Sequence, residues 1–285
     1  MKKILKTLVA GLLIVGLAAC SSKPATTDPT ATPEAGATAD KTVLKISATL
    51  DPHAKILEFA KPILEEKGIT LEITVLDDYY IFNKALNDGE VDANYFQHLP
   101  FFNGEVEANG YKIVNAGGIH IEPFGFYSKT IKSVDELKDG ATVIISNSVA
   151  DHGRILSILE KAGVITLKDG ADALNATVED IVDNPKNLKF QEVKPELLTT
   201  VFEQGEGDLV AINGNYAIQA GLNPTKDAVI LEQADATNPY VNIVAVKEGN
   251  ENNPAIKTLI EVLKSDEVKQ FILDTYSDGS VIPAE

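Results

Sequence analysis

A single arginine, Arg154, stands in a chain whose other fixed positive charges are all lysines. Only a guanidinium presents its N–H donors as a rigid planar fork, which suits a carboxylate held by two parallel hydrogen bonds. Arg154 follows the β-rich segment 142–146 and is expected in the opening turn of a helix, where unpaired N–H groups and the helix dipole favour an anion. The sequence therefore predicts a carboxylate site at Arg154; the alternative is a structural salt bridge. The nearby His152 is predicted to be a loop residue and not a ligand.

Aromatic and amide side chains are concentrated in two further segments, residues 77–86 and 92–102. Both follow β-rich runs and are expected to form loops at the carboxyl ends of strands, where ligands gather in sheets of this kind. A lone Tyr or Phe in such a segment is more simply explained by core packing. The run Asn-Tyr-Phe-Gln-His at 94–98 favours a binding site, because its amide and imidazole groups are costly to bury without partners.

Signatures of catalysis or metal binding are missing from the sequence. The four histidines, His53, His98, His120 and His152, lack the i, i+4 or short-loop spacing of a zinc site, although convergence in the fold stays open. There is no G-x-S-x-G elbow, P-loop or G-x-G-x-x-G turn. The sequence thus predicts a protein without catalytic residues, cofactor or metal.

The N-terminus carries a targeting signal. Residues 1–19 combine two early lysines with an apolar run over 8–17, which is too short to span a bilayer and is typical of a signal peptide. The only cysteine, Cys20, follows in "LAAC", which resembles a lipoprotein lipobox; the alternative is an unused thiol. Residues 20–41 are rich in Ser, Thr, Pro and Ala and are predicted to form a flexible tether. These features predict a lipid anchor on the extracytoplasmic face of the cell membrane.

The charge of the chain argues against nucleic acid as a partner. The formal net charge is −17, and removal of Lys2, Lys3 and Lys6 with the signal peptide takes it to −20. Such a surface repels phosphate backbones.

The remaining residues alternate between strand and helix patterns. Residues 43–49, 56–68 and 70–76 read as a βαβ unit, and the theme recurs further along the chain, which indicates an α/β fold with a parallel or mixed sheet. Two long extended segments marked by proline, 119–129 and 238–249, are predicted to cross between two lobes. The last two helical patterns are expected to return to the first lobe.

Several segments of the sequence resemble those of a known family. The segments "DPHAKILEFAKPIL", "DANYFQHLPFF", "IEPFGFYSK" and "NPYVNIVAVK" are similar, in order, to those of the NlpA-type methionine-binding lipoproteins of ABC importers. The resemblance covers nearly all of the chain after the tether. It implies a type 2 periplasmic-binding-protein fold in which two α/β lobes, joined by two crossing strands, enclose one amino acid. The expected boundaries are 42–123 with 240–285 for lobe 1, and 124–239 for lobe 2.

The resemblance also assigns roles to residues. Arg154 would bind the ligand carboxylate, Asn213 and Asn242 the amino-acid head group, and Tyr79, Phe96 and His98 the ligand side chain. Two departures from the family pattern add Tyr95, which stands where other members often have a smaller residue, and Asp151, which replaces an amide. Asp151 is expected either to bind the ligand ammonium or to cap the helix that carries Arg154.

The predicted function follows from these roles. The chain is expected to bind L-methionine, or a related amino acid or methionine peptide, and to deliver it to the permease and ATPase subunits of an ABC importer. The alternative is a lipid-anchored adhesin or surface enzyme on the same fold. The missing acid, base and nucleophile signatures argue against the enzyme.

Overall fold

The computed structural model describes residues 42–233 and 238–284. The predicted signal peptide, the predicted lipid attachment at Cys20 and the predicted tether lie outside the described residues. The strands in the described part are β1 (Thr42–Ala48), β2 (Ile69–Val75), β3 (Ala93–His98), β4 (Ile113–Ile121), β5 (Gly125–Tyr127), β6 (Thr142–Ser146), β7 (Thr166–Leu167), β8 (Ile181–Asp183), β9 (Lys189–Val193), β10 (Leu209–Ile212), β11 (Ile230–Leu231), β12 (Val241–Lys247) and β13 (Ile282–Pro283).

Helices alternate with these strands along the chain. The α-helices of the described part are α1 (Lys55–Glu66), α2 (Tyr79–Asp88), α3 (Leu99–Asn109), α4 (Val149–Lys161), α5 (Leu198–Gln204), α6 (Gly214–Gln219), α7 (Pro224–Asp227), α8 (Pro254–Leu263) and α9 (Asp266–Thr275). None of them combines the length and the apolar character that a bilayer crossing requires.

Two mixed sheets form the centres of two lobes. The first has the strand order β13-β4-β12-β3-β1-β2, in which β1 pairs in parallel with β2 and β3 while β12 runs antiparallel to β3 and β4. The second has the order β11-β5-β10-β6-β9, with β6 parallel to β9 and β10, and β5 antiparallel to β10 and β11. The predicted two-lobed α/β architecture is therefore confirmed.

The chain passes between the sheets at two places. Residues 122–124 connect β4 of the first sheet to β5 of the second, and the chain is back in the first sheet at Val241, the first residue of β12. Each passage overlaps one of the two proline-marked segments of the sequence. In a two-lobed fold of this kind, changes in a few backbone dihedrals of a passage such as 122–124 can open and close the lobes.

Each sheet has its own apolar core. Helix α1 buries Ile56, Leu57, Ala60 and Leu64, a helical spacing that places all four against the first sheet together with residues of α8 and α9. The second sheet packs against α4 through Ile155, Leu156 and Leu159, among other residues. A third cluster contains residues from both lobes, including Phe96 and Tyr216. This shared cluster lies where the two lobes meet.

Three local predictions are wrong. Residues 79–88 form a helix and residues 93–98 a fully buried strand, so the aromatic and amide side chains do not lie in loops. Strand β3 is buried along its whole length because neighbouring strands flank it and helices cover it, a context that segment-by-segment periodicity does not reveal. Helix α4 begins at Val149, which places His152 in the helix and Arg154 beyond its first turn.

Candidate functional site

A cavity between the lobes collects polar and aromatic side chains. Its walls are formed by Tyr79, Phe96, Gln97, His98, Phe101, Glu122, Asp151, Arg154, Asn213, Gly214, Asn215 and Asn242. The empty space among them, including the open mouth, is about 380 Å³. Most of the polar residues in this wall are buried, among them Arg154 and Asp151, so a ligand would enter when the lobes are apart.

The structure brings most of the predicted site residues together at this cavity. The wall contains Tyr79, Phe96, His98, Asp151, Arg154, Asn213 and Asn242. Tyr95 is the exception, because its buried ring packs in the core of the first lobe and its hydroxyl hydrogen-bonds to His120 Nδ1. Tyr95 therefore acts behind the cavity wall and not in it.

Arg154 is almost completely buried, with 4% of its surface exposed. Its Nε donates to Glu232 Oε1 at 3.0 Å and its Nη2 to Glu232 Oε2 at 2.5 Å, while Nη2 also donates to the Glu122 carbonyl at 2.8 Å. The guanidinium lies over the ring of Tyr240, 4.2 Å from its centre. One edge of the guanidinium thus forms a structural salt bridge, which was the alternative to a carboxylate-binding site. Within the described residues Nη1 has no hydrogen bond, which leaves that nitrogen for a ligand.

Asp151 supplies a negative charge at the same cavity. Burial alone raises the pKa of its carboxyl group, but hydrogen bonds from His98 and Asn213 and the charge of Arg154 outweigh burial and hold that pKa below its usual value. His98 Nε2 lies 2.9 Å from Oδ1, and Asn213 Nδ2 lies 3.2 Å from Oδ2. Ser148 is the N-cap of α4, so the capping role expected for Asp151 is wrong. Its carboxylate is available to a cationic ligand group.

Two asparagines at the start of α6 have buried polar atoms without partners. The Asn213 side-chain amide donates a hydrogen bond to Asp151. The Asn213 Oδ1 atom has no hydrogen bond in the described structure. Asn215 accepts a hydrogen bond of 2.5 Å from the Tyr79 hydroxyl, and its Nδ2 is likewise unpaired. Buried polar atoms are nearly always paired in folded proteins, so an unpaired acceptor and an unpaired donor in one cavity wall indicate a ligand that carries both complements.

Aromatic rings form one side of the cavity. Tyr79 lies 5.9 Å from Phe96 and 5.8 Å from Phe101, measured between ring centres. Phe96 stacks on Phe82 of α2 at 4.0 Å, and this contact fixes the orientation of the Phe96 ring. Such a surface binds an apolar or thioether side chain by area burial and by sulfur–aromatic contact.

Glu122, which sequence reasoning missed, lies in the first passage between the lobes. Its side chain is buried, and Gly214 of the opposite lobe approaches so closely that a Cβ there would lie 2.6 Å from the Glu122 Cβ. Burial raises the pKa of the Glu122 carboxyl group above its usual value, against the opposing influence of His53 and Arg154. The signal available in the sequence was the proline-flanked acidic residue in "HIEPFG", which lies in the predicted lobe crossing.

A hydrogen-bonded group of buried side chains extends behind Glu122. His120 Nε2 lies 2.8 Å from Glu122 Oε1, and His53 Nε2 lies 3.0 Å from Asn242 Oδ1. Because the acceptor is the Asn242 oxygen, His53 carries its proton on Nε2, and its Nδ1 accepts from the Thr49 hydroxyl at 2.7 Å. The contact with His53 orients the Asn242 amide, so its Nδ2 donor is free to face the cavity.

We expect the two buried histidines to make the protein less stable in mild acid. Burial lowers the pKa of His53 to about 4 and that of His120 to about 3. The unfolded chain binds these two protons near pH 6.5, so the stabilisation is present above that pH and is lost as the pH falls towards the folded values. The raised pKa of Glu122 has the opposite effect, since it stabilises the folded state as the pH falls, but it is one group against two histidines. Urea unfolding in the presence of a chelator should show a loss of about 1–2 kcal/mol between pH 6.5 and pH 5.

The control for this acid effect is His120→Gln, which keeps a polar side chain but does not titrate. Its unfolding free energy should depend less steeply on pH than that of the wild-type protein over the same interval. Parallel curves for the two proteins would contradict the assignment to the buried imidazoles.

The cavity as a whole combines separate donor, acceptor and apolar regions. Arg154 and Asn215 offer N–H donors, whereas Asp151, Glu122 and the Asn213 oxygen offer acceptors. A small zwitterion with an apolar side chain satisfies all three regions, because its carboxylate needs donors and its ammonium needs acceptors. No arrangement of a nucleophile with an adjacent base is needed to explain these contacts.

Comparison with known sequences gives a match over almost all of the described chain. The sequence model of the family described as NlpA lipoprotein matches residues 44–285. The methionine-binding lipoprotein MetQ of Bacillus subtilis (strain 168) is 53% identical over 249 residues, which cover 87% of this chain and 90% of that protein. The D-methionine-binding lipoprotein MetQ of Escherichia coli (strain K12) is 37% identical over 243 residues, covering 85% of this chain and 89% of that protein.

Comparison with solved structures agrees with the sequence matches. A nutrient-binding protein from Burkholderia cenocepacia, solved bound to methionine, superposes with a TM-score of 0.80 at 38% identity. The match covers 85% of this chain and all of that one.

Proposed function

The chain belongs to the NlpA lipoprotein family, and from this premise we propose that it is the lipid-anchored substrate-binding receptor of an ABC importer, with methionine as its ligand. The relatives reported above are named as methionine-binding and D-methionine-binding lipoproteins, and one similar structure was solved with methionine bound. The proposal extends to the finer assignments that the family leaves open: this chain has no enzymatic activity, and it delivers its ligand to a permease and an ATPase.

The observation that carries the ligand class is the pair of unpaired asparagine atoms beside two opposite charges. In the proposed complex the ligand carboxylate lies against Arg154 and Asn215 Nδ2, with the Asn242 amide as a further donor. The ligand ammonium lies against Asp151 and Asn213 Oδ1, with Glu122 nearby. In the buried site, both ends of the zwitterion exchange their hydrogen bonds to water for charge-assisted hydrogen bonds to the protein.

The ligand side chain extends along the aromatic region. Tyr79, Phe96 and Phe101 provide ring edges and faces on which a thioether can pack, and His98 borders this region from β3. The limited volume favours a single amino acid over a peptide, because each added residue would have to push the lobes apart.

We also propose the domain boundaries and the anchor. Lobe 1 comprises residues 42–123 and 240–285, and lobe 2 comprises residues 124–239. Residues 1–19 act as the signal peptide, Cys20 carries the lipid at the extracytoplasmic face of the cell membrane, and residues 20–41 give the receptor reach towards its permease.

Thermal unfolding of the mature chain in detergent tests the ligand. L-Methionine at about 100 times its dissociation constant should stabilise the folded protein by about 2.7 kcal/mol, which raises the midpoint by several degrees. D-Methionine and L-norleucine should be tested beside it, since they separate chirality and sulfur from shape. N-Acetyl-methionine and methionine amide each lack one charge and should give little or no shift.

The outcomes separate the proposed receptor from its competitors. Stabilisation by another amino acid alone would keep the receptor and change its ligand. If neither an amino acid nor a dipeptide changes the midpoint, the transport function is wrong and the adhesin or surface-enzyme hypothesis takes its place.

A further inference from the structure

The fold brings together three potential metal ligands that lie far apart in the sequence. His53 lies between β1 and α1, His120 in β4 and Glu122 in the first passage between the lobes, and all three are buried. We call these three residues the His-Glu cluster. Their ligand atoms all lie within 4.8 Å of one another. The spacing argument that predicted no metal site considered only neighbours in sequence and therefore did not detect this convergence.

The distances within the His-Glu cluster are close to those of a zinc site. His120 Nε2 lies 2.8 Å and His53 Nε2 lies 3.5 Å from Glu122 Oε1. Bonds of about 2.0–2.2 Å at tetrahedral angles place neighbouring ligand atoms roughly 3.3 Å apart. Small side-chain movements would therefore bring the three atoms around one ion.

A hydroxyl group stands behind each imidazole. The Thr49 hydroxyl contacts His53 Nδ1 at 2.7 Å, and the Tyr95 hydroxyl contacts His120 Nδ1. A metal-bound imidazole carries its proton on the second nitrogen and donates it to an oxygen atom. Hydroxyl groups both donate and accept, so Thr49 and Tyr95 can donate to the metal-free imidazoles and accept from the metal-bound ones.

We propose that His53, His120 and Glu122 bind a divalent transition-metal ion, for which Zn²⁺ is the best match. Two imidazoles and one carboxylate are the protein ligands of zinc sites that keep a fourth position open. In this fold the fourth ligand is Asn242 Oδ1, which lies 3.0 Å from His53 Nε2, or a group that enters from the cavity. On binding, each imidazole moves its proton from Nε2 to Nδ1, and Glu122 coordinates as the carboxylate, with any proton on it released to solvent.

The route to the site passes through the ligand cavity. Glu122 and Asn242 both belong to the cavity wall, so an ion reaches the buried histidines when the lobes are apart. The ion would lie directly behind the residues that face the amino acid. This site goes beyond the proposed receptor function and does not require it, because His53, His120 and Glu122 lie together without a bound amino acid.

Cobalt provides a direct spectroscopic test. The mature chain in detergent is stripped with a chelator, dialysed and titrated with Co²⁺, and Zn²⁺ is then used to displace it. We expect visible d–d absorption of four-coordinate Co²⁺ at one ion per chain, abolished by Zn²⁺. A folded wild-type protein that gives no such spectrum would show that the cluster is a hydrogen-bonded network only and would overturn the proposal.

Variants locate the ion within the fold. His53→Gln and His120→Gln should each weaken Co²⁺ binding at least about 100-fold, since even partners of metal ligands contribute 10–100-fold. The matched control is His152→Gln, because His152 is a buried histidine of the same chain that contacts the Ser146 carbonyl and not the cluster. Unchanged binding in both cluster variants, or equal loss in the control, overturns the assignment. Methionine titration of the metal-free wild type tests the receptor function independently.

Discussion

Replacing Arg154 by lysine should weaken methionine binding by about 100-fold or more while leaving the chain folded. The lysine keeps the positive charge but presents one compact ammonium on a flexible stem, whereas the guanidinium bonds Glu232 and the Glu122 carbonyl and, in the proposed complex, the ligand as well. A single ammonium nitrogen close to Glu232 cannot also reach a carboxylate on the far side. Isothermal titration of wild type and variant with L-methionine measures the difference.

The control for this substitution lies on the same helix. Lys161→Ala removes an exposed cation from the last turn of α4. The affinity of this variant for methionine should equal that of the wild type. If Arg154→Lys binds methionine as tightly as the wild type, Arg154 is a structural residue whose function ends at the salt bridge with Glu232. The unfolding midpoint of the variant, measured without ligand, shows whether a lost affinity comes from local misfolding.

The sequence was most informative where a residue type has few structural uses. A lone arginine among lysines pointed to a planar, bidentate contact, and Arg154 does make one, although to Glu232 of its own chain. The period of apolar residues predicted the alternating strands and helices because each element buries one face or one stripe. The proline-marked extended segments 119–129 and 238–249 predicted where the chain passes between the lobes, because they interrupt the alternation of strands and helices, although most of the second segment forms the central strand β12.

Convergence in space is what the sequence could not supply. Glu232 and Arg154 are separated by 78 residues, and His53 and Asn242 by 189, so no local pattern joins either pair. The start of α4 was misplaced because Asp151 was read as a possible cap and His152 as a loop residue, although Asp151 in the first turn is compatible with the helix dipole. The roles of Asn213 and Asn215 depend on which amide atom remains unpaired, and only the fold determines that.

The salt bridge of Arg154 leads to the second large effect, on stability. Glu232→Gln should lower the free energy of unfolding by about 3 kcal/mol or more at neutral pH, because removal of one partner leaves a buried charge without compensation. Burial raises the pKa of Glu232, but Arg154 outweighs burial and the resulting pKa lies below its usual value. The contribution is therefore present above about pH 4.5 and is lost as the pH falls through the folded pKa, so wild type and variant should converge in acid.

A double-mutant cycle separates the ion pair from general damage to the site. Glu232→Gln, Arg154→Gln and the double variant are unfolded in urea, and the double variant should lose clearly less stability than the sum of the single changes, by about 1–3 kcal/mol. Glu203→Gln removes an exposed carboxylate from α5 and should change stability by less than about 0.5 kcal/mol. Additive single effects would mean that Glu232 does not hold Arg154 in solution. The guanidinium would then be free to move in the cavity. The carboxylate site would not be preformed, and it would form only when the ligand binds.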